Sequence, residues 1–421
     1  MPNVSPFKAY RYSDSVPLKR ALCPPYDVIS ETQAQKLRQD SSNAIHVELP
    51  SGSDDKKYEN ARQVWKNWIE NKTVSQDSAP AFYVYEQRFL AHGKRFSRKG
   101  FFCEVGVEKP GEGSILRHEL TLSGPKQDRL NLLRTLKVNS SPIFGLFNDS
   151  KKNVTKILAR VSKSKPRAHV EDGEKVVHKL WPCSNAKDIA VIRKTLKKTP
   201  IFIADGHHRY ETSWNYRQET ISRGDRSPWR TDLAPGHERE KWKSVLFFVC
   251  PMQDPGLVVF PTHRVLVQKI TLEDIAKRLR SLDKAYKTTP LASSPLQSLK
   301  NLKSPSFIVT DGRTGFEVSP KSPASSKKNF PQKPPSYVRL SLVHLHSVLL
   351  PDMKKEDFIY THDEKEAVQL ALQKGTVAFL VPAATVRELY TIVKAGELMP
   401  QKSTYFYPKI ITGMVFRSLE E

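Results

Sequence analysis

An α+β architecture is what this sequence predicts, and three observations predict it. Short apolar runs rich in β-branched and aromatic residues alternate with longer mixed segments of helical character, the pattern of chains that combine sheet with helix. No repeat of fixed period interrupts the alternation, which sets solenoids and propellers aside. At 421 residues the chain exceeds one typical domain of about 100–200 residues, so two or three domains with a sizeable core are expected.

The elements follow in order. Helices are predicted from Ser30 (SETQAQKLRQ) and Tyr58 (YENARQVWKNWIEN), then a strand from Ala81 (AFYVYEQRF) and a helix from Pro125 (PKQDRLNLLRTL). From Pro200, PIFIADGHHRYETSWNYR reads as strand, tight turn at Asp205-Gly206 and helix. Arg217 to Lys243 is charged and carries the tail of a helix followed by Gly, Pro and Asp punctuation, an exposed loop. Further strands are read at Lys243 (KSVLFFVC), Ser304 (SPSFIVT) and Thr376 (TVAFLVPA). Ser319 to Arg339 carries five prolines, several lysines and no acid, and is expected to be a disordered basic insertion that buries no core face. A last helix starts at Asp363 (DEKEAVQLALQKG), with Thr361 or Asp363 as cap, acids in its first turn and Gly375 at its end. The expected division is an N-terminal α+β part over 1–216, the loop 217–243, and a C-terminal α+β part over 244–421 that contains the insertion 319–339.

Lys and Arg total 68 against 44 Asp and Glu, a formal charge of +24, while apolar residues make up 38% of the chain, so it is basic but globular. That field attracts nucleic acid and phosphorylated metabolites alike. The cysteines Cys23, Cys103, Cys183 and Cys250 lie far apart with no CxxC pair, which argues against a disulfide framework or zinc knuckle. No apolar stretch approaches the ~18–20 residues of a membrane span, and the start lacks a signal-type apolar run. A soluble, cytoplasmic protein with no membrane partner is expected.

The most informative segment is the Asp205–Arg209 turn. A strand running through a glycine turn into a helix aims backbone N–H groups and the positive helix end at one spot, which suits an anion such as phosphate. His207 and His208 add proton-transfer groups, Arg209 a bidentate donor and Asp205 a carboxylate. The competing reading is structural, with one buried histidine and Arg209 paired to Asp205 or Glu211. A second segment, RHELTLSGPKQDR from Arg117, gathers His118, Glu119, Lys126, Asp128 and Arg129 around a Gly-Pro turn before a helix. Adjacent His and Glu do not share one face and no second metalloprotease histidine follows, so phosphate clamping by Lys126 and Arg129 is preferred over zinc. CPPYDVI from Cys23 holds Tyr26 and Asp27 in a rigid turn. DPGLVVFPTHRV from Asp254 places Thr262, His263 and Arg264 after a strand-like run, and GELMPQKSTYFYPKI from Gly396 exposes Lys402, Ser403, Thr404 and Lys409 among aromatics; charged residues beside prolines and aromatics read as loop surface. No Walker loop, GxGxxG, GxSxG or EF-hand pattern occurs.

Taken together, PPYDVI at Pro24, RHELTLSGPKQDRLNLL at Arg117, IADGHHRYET at Ile203, DPGLVVFPTHRV at Asp254, THDEKEAV at Thr361 and MPQKSTYFYPKIITG at Met399 resemble, in order and over nearly the whole chain, the family catalogued as domain of unknown function 1015. That family is similar to the ParB and sulfiredoxin-like superfamily, whose Gly-x-x-Arg turn binds nucleotide phosphates and whose members include free-serine kinases and CTP-hydrolysing partition proteins. The resemblance implies a ParB/sulfiredoxin-like α/β core with additional mixed sheet and helices, Gly206 and Arg209 at the phosphate-binding positions, and phosphoryl chemistry. Bacterial members encoded near serine-biosynthesis enzymes tilt the substrate towards serine or O-phosphoserine. Two histidines stand in the turn where sulfiredoxin has its reactive cysteine, so peroxiredoxin repair is not implied.

The expected function is phosphoryl transfer to, or phosphate-ester hydrolysis on, a small hydroxy-amino acid, best serine or O-phosphoserine. Candidate catalytic residues are Asp205, His207, His208, Asp27 and Glu119. Gly206, Arg209, Lys126, Arg129, His118, His263, Arg264, Lys402 and Ser403 are candidates for binding phosphate or nucleotide. Mg²⁺ and ADP or ATP are the expected companions, with the metal ligands unassigned and no zinc, haem or flavin expected. The alternative is a basic nucleic-acid- or partner-binding protein on the same fold without catalysis. It rests on the +24 charge and the basic Pro-rich insertion and is disfavoured by the lack of RNP aromatics and of a helix-turn-helix.

Overall fold

The structure, a computed structural model, describes residues 1–119, 123–223, 240–282, 285–322 and 330–420. It is a mixed α+β fold that divides into two units. Unit 1 comprises Met1–Arg117, Thr121–Leu257 and Pro408–Glu421, and unit 2 comprises His118–Leu120 and Val258–Tyr407.

Unit 1 is built on a nine-stranded sheet. Its strands are β1 (Val4–Ser5), β2 (Phe82–Ala91), β3 (Lys94–Gly106), β4 (Ile115–Leu116), β5 (Ile143–Phe147), β6 (Ala168–Glu171), β7 (Val177–Cys183), β8 (Ile201–Asp205) and β9 (Ser244–Pro251). The order is β4-β8-β5-β9-β3-β2-β7-β6, with β1 also paired to β3. Only the β4–β8 and β5–β9 pairs are parallel. The central strands are apolar on both faces, as in Phe82–Tyr85 and Val245–Cys250, so they are buried from both sides. Its longer helices are α1 (Lys56–Glu70), α2 (Ser123–Leu136), α3 (Asn153–Val161), α4 (Ala186–Leu196) and α5 (His207–Ser222). The face covered by α3 and α4 buries Val154, Ile157, Ile192 and Leu196 in one cluster with Phe101, Phe147 and Phe247. The segment after Pro408 returns to unit 1: Thr412 bridges Cys23, Phe416 bridges Tyr10, and Arg417–Ser418 pairs with Val138–Asn139.

Unit 2 holds a six-stranded antiparallel sheet of β10 (His263–Leu266), β11 (Tyr286–Pro290), β12 (Phe307–Thr310), β13 (Gly315–Pro320), β14 (Phe358–Thr361) and β15 (Ala378–Leu380), in the order β11-β13-β12-β15-β10-β14. Helices α6 (Leu272–Ser281), α7 (Glu364–Lys374) and α8 (Val386–Lys394) belong to it. Asp363 caps α7 through the Lys365 and Glu366 amides, and Gly375 closes it in the left-handed region, as its sequence dictates.

Three sequence expectations differ from the structure. The break expected over 217–243 falls inside unit 1, where α5 runs to Ser222 and β9 starts at Ser244; residues 224–239 lie outside the described residues. Gly124 and Pro125 do not form a turn before α2 but sit in its first turn, where proline lacks no needed donor. Within 319–339, Ser319 and Pro320 end β13, a short helix spans Pro335–Val338, and Phe330 and Val338 are buried, because these apolar side chains find a core despite the prolines around them; 323–329 lie outside the described residues. Among the described residues no helix is long and apolar enough to cross a membrane, and all four cysteines are buried free thiols.

Candidate functional site

In unit 1 the buried strand β8 carries a bulge: Ile203 pairs with Gly145 and Asp205 with Phe144, so Ala204 is the extra residue. The bulge turns Asp205 out of the sheet just before Gly206, whose φ of +91° places it in the left-handed region that glycine adopts at least cost. Helix α5 begins at His207 with no side-chain cap, and its first internal bond runs from the Tyr210 amide to the Gly206 carbonyl. Helix geometry gives the preceding amides no acceptor within the helix, and the positive end of the dipole lies among them.

Asp205 is the electrostatic centre of this turn. One carboxylate oxygen accepts from Lys409 Nζ at 2.8 Å and the other from Arg209 Nη2 at 3.1 Å. Burial alone would raise this carboxyl, but the charges of Lys409 and Arg209 outweigh it and hold Asp205 well below the usual carboxylate range. Arg209 also donates to the Pro142 carbonyl, while its Nε is buried without a hydrogen-bond partner. Arg209 lies in the field of Asp27, Glu48 and Tyr26, which with Asp205 outweigh its burial and keep it charged. His207 is buried and His208 half-buried in the first turn of α5.

The PPYDVI segment forms a 3₁₀ turn over Tyr26–Val28 with Asp27 exposed. Its Tyr26 amide donates to Glu48 at 3.2 Å, and the Arg129 guanidinium stacks 4.4 Å above the Tyr26 ring. Burial pushes the Tyr26 phenol up to about 12. Glu48, only 1% exposed, is the hub that sequence reasoning missed. It accepts from Ser140 Oγ at 2.6 Å and Ser141 Oγ at 2.8 Å besides Tyr26. Glu48, Ser140, Ser141, Arg129 and Arg209 line a cavity of about 50 Å³.

Two residues expected in the phosphate clamp are engaged otherwise. Lys126 donates to Glu211 at 2.9 Å, a carboxylate it shares with Arg117 at 3.1 Å, so it is tethered to the second turn of α5. Arg129 is buried and donates from Nε and Nη2 to Asp128 and from Nη1 to the Glu48 carbonyl, because its place beneath Tyr26 lets no solvent satisfy those donors.

The remaining candidates gather in unit 2. His118 Nε2 lies 3.1 Å from Thr404 Oγ1, and the Lys402 amide donates to Glu119 at 3.1 Å. Arg264, expected at a loop surface, is fully buried in β10, as is His263. Its Nη2 donates to the Gln401 and Lys402 carbonyls at 3.0 and 2.9 Å, its Nη1 to Thr262 and its Nε to His346 at 3.2 Å, with the Tyr360 ring alongside. Arg264 thus fixes the 401–402 backbone rather than presenting a fork to phosphate. Burial, with the Arg264 charge beside it, pushes the His263 imidazole down to about 4, so its Nδ1 is free to accept from the Val381 amide at 3.2 Å. Ser403, read as exposed, is buried with its hydroxyl on the Pro400 carbonyl; Lys402 is exposed at φ +56°. Lys409, also read as exposed, is nearly covered in unit 1, where Asp205 compensates its charge.

The chain belongs to the family described as protein of unknown function, domain of unknown function 1015, whose match covers residues 4–391. No curated protein matches. Among solved structures the chain is similar to a conserved hypothetical protein from Pyrococcus furiosus, at 14% identity over 73% of this chain and 93% of that one, with a TM-score of 0.35. It is also similar to a free serine kinase in complex with AMP, at 14% identity over 73% and 94% and a TM-score of 0.35. A third is SbnI with C-terminal truncation from Staphylococcus aureus, at 10% identity over 72% and 83% and a TM-score of 0.37.

Proposed function

We propose that the Asp205–Arg209 turn binds a phosphoryl group and that the protein transfers or removes that group on a small hydroxy-amino acid, serine or O-phosphoserine. The observation that carries the reading is the left-handed Gly206 between an ionised Asp205, braced by Lys409 and Arg209, and the start of α5. Backbone amides and a helix end fixed before the substrate arrives are what charge stabilisation in phosphoryl transfer requires, since such a reaction needs little beyond positioning and neutralisation. In this reading Gly206, His207, His208 and Arg209 hold the phosphate. Asp205, held too acidic to be a base near neutrality, orients Lys409 and Arg209; His208 and Asp27 are the proposed proton-transfer groups. Serine is taken from the family resemblance, as is the nucleotide as donor or acceptor.

The described residues contain no group of three or more His, Cys, Asp or Glu placed to hold a metal, and both Asp205 oxygens are taken. Mg²⁺ therefore fits as an ion carried in on nucleotide phosphates, which commonly needs only one or two protein ligands. The test is to give the full chain O-phosphoserine with Mg²⁺, with and without ADP, and follow O-phosphoserine, inorganic phosphate and ATP by phosphorus NMR and serine by proton NMR. Phosphate release alone assigns a phosphatase, and ATP formed only with ADP assigns a reversible kinase. His208→Ala is expected to abolish either while the protein melts as before. No product with any nucleotide or divalent ion, or full turnover in both His208→Ala and Asp205→Asn, refutes the assignment.

A further inference from the structure

We infer that the outward face of α3 and α4 in unit 1 is a docking surface for the phosphate backbone of a nucleic-acid duplex. Residues 151–167 hold seven Lys and Arg and no acid, and residues 184–198 hold five against the single Asp188. All twelve are exposed, whereas Asp188 is buried and paired with Arg160 across the two helices. Twelve cations in these thirty-two residues is more than twice the density of 68 in 421.

The fold gathers these charges on one side. Val154, Ile157 and Leu158 on α3, and Ile192 and Leu196 on α4, enter the same core cluster, so the two helices pack side by side on one face of the sheet. The opposite stripes then face solvent together: Lys156 and Arg160 on α3, with Lys152 just before its start and Lys163 just past its end, and Lys187 and Lys194 on α4, with Lys198 just past its end, at the four- and seven-residue spacings of a helical face. A surface that serves solubility alone intersperses both signs. Here only Arg160 and Arg167 have an acid set against them, Asp188 and Asp14, and the other ten like charges repel in a way that a polyanion relieves.

The chemistry of the face selects the partner. Neither segment contains an aromatic residue, so bases have nothing to stack on, which disfavours a single strand. An anionic membrane surface would favour apolar side chains for insertion, and Val191 is the exposed large apolar residue of this face. A duplex contacted through its backbone needs only cations. At 1.5 Å per residue, helices of nine and eleven residues extend roughly 14–16 Å, enough to reach phosphates on both sides of a groove.

The test measures binding of the full chain to 20-base-pair DNA and RNA duplexes and to a single strand of equal length, by fluorescence anisotropy across salt. With about five phosphates neutralised, affinity is expected to fall roughly 500-fold between 50 and 200 mM salt. The fourfold variant Lys152→Glu, Lys156→Glu, Lys194→Glu, Lys198→Glu is expected to bind about a hundredfold more weakly at 50 mM salt, with unchanged melting and unchanged phosphoserine turnover. Binding of either duplex with this pattern supports the inference, and the preferred duplex identifies the source of the backbone. It is overturned by failure to bind either duplex at 50 mM salt, by unchanged affinity in the variant, by tighter binding of the single strand, or by capture on anionic vesicles without duplex binding. None of these outcomes bears on the phosphoryl reading, whose residues lie elsewhere.

Discussion

Substituting Gly206→Ala tests whether the turn is built around its glycine. Two costs are read from the structure. A non-glycine residue held at φ +91° costs about 1–2 kcal/mol. The new Cβ would lie 3.1 Å from Arg209 Nη2 and 3.2 Å from its Cζ and Nε. That guanidinium is pinned by Pro142 and Asp205, so yielding by a few tenths of an ångström weakens a charged hydrogen bond worth about 1.5–3 kcal/mol. The sum is about 2.5–5 kcal/mol. Gly93, in the hairpin between β2 and β3, supplies the control, since its φ is +70° and a Cβ there would meet nothing within 4 Å; Gly93→Ala should show the backbone cost alone. The assay is urea unfolding followed by tryptophan fluorescence, which reports on unit 1 because every described tryptophan lies there, Trp214 on α5 itself. With an m-value of about 3 kcal/mol per molar, Gly206→Ala should lower the midpoint by about 1 M and Gly93→Ala by about half that. Equal midpoints for the two variants would refute the pinned guanidinium, and a wild-type midpoint for Gly206→Ala would refute the turn's need for glycine.

Further predictions follow from the other buried charges. His263 and His346 have imidazoles pushed by burial to about 4 and about 3. Unfolded imidazoles take up protons below about pH 6.5 and these do not until far lower, so unit 2 should keep its stability above pH 7 and lose it as pH falls, by about 2 kcal/mol per histidine at pH 5. Hydrogen exchange in peptides from β10 should accelerate accordingly, and His346→Asn should remove about half of the effect; a flat profile from pH 7.5 to 5 would contradict it. Lys409→Met leaves Asp205 with one cation and should raise its carboxyl towards the ordinary range, seen as an upward shift of its carboxyl titration by carbon NMR. The same variant should weaken phosphate binding by about tenfold, the loss of one charge-assisted contact; unchanged binding would separate Lys409 from the site. Glu48→Gln should retain the fold yet loosen Tyr26 and Ser141, and Glu48→Ala should destabilise unit 1 by about 2–4 kcal/mol through its orphaned hydroxyl and amide donors, measured by the same urea assay. Equal stability of Glu48→Ala and wild type would show that Glu48 is no hub.

What the sequence disclosed and what it hid divide by the range of the interactions. The strands at Ala81, Lys243 and Ser304, and the helix starts at Ser30 and Asp363, are local decisions of β-branched runs and hydrogen-bonding side chains, and they stand in the structure within a few residues. The Asp205-Gly206 turn was legible for the same reason, because a glycine between an apolar run and a helical pattern announces itself. Glu48 gave no signal. Its partners Tyr26, Ser140 and Ser141 are 22 to 93 positions away, and a lone glutamate in IHVELP looks like surface. Lys409 was visible only as one more charge among aromatics, although it neutralises Asp205. His263 and Arg264 were read as surface because charged residues beside proline are normally solvated; a guanidinium that finds four backbone and side-chain acceptors can be buried, and no local pattern encodes those acceptors.

The return of residues 408–421 to unit 1 has a consequence for the order in which the protein is made. Asp205 and Lys409 are 204 positions apart, and all of Val258–Tyr407 is translated between them. At roughly 5–20 residues per second the carboxylate waits some 10–40 s for its ammonium. During that interval the sheet of unit 1 can form, but Tyr10 and Cys23 lack their bridges to Phe416 and Thr412. A nascent chain therefore cannot assemble the finished turn ahead of the second unit. The turn is finished only once residue 409 has been made, and a ribosome stalled between residues 251 and 409 holds the strands of the sheet without the lysine that neutralises Asp205.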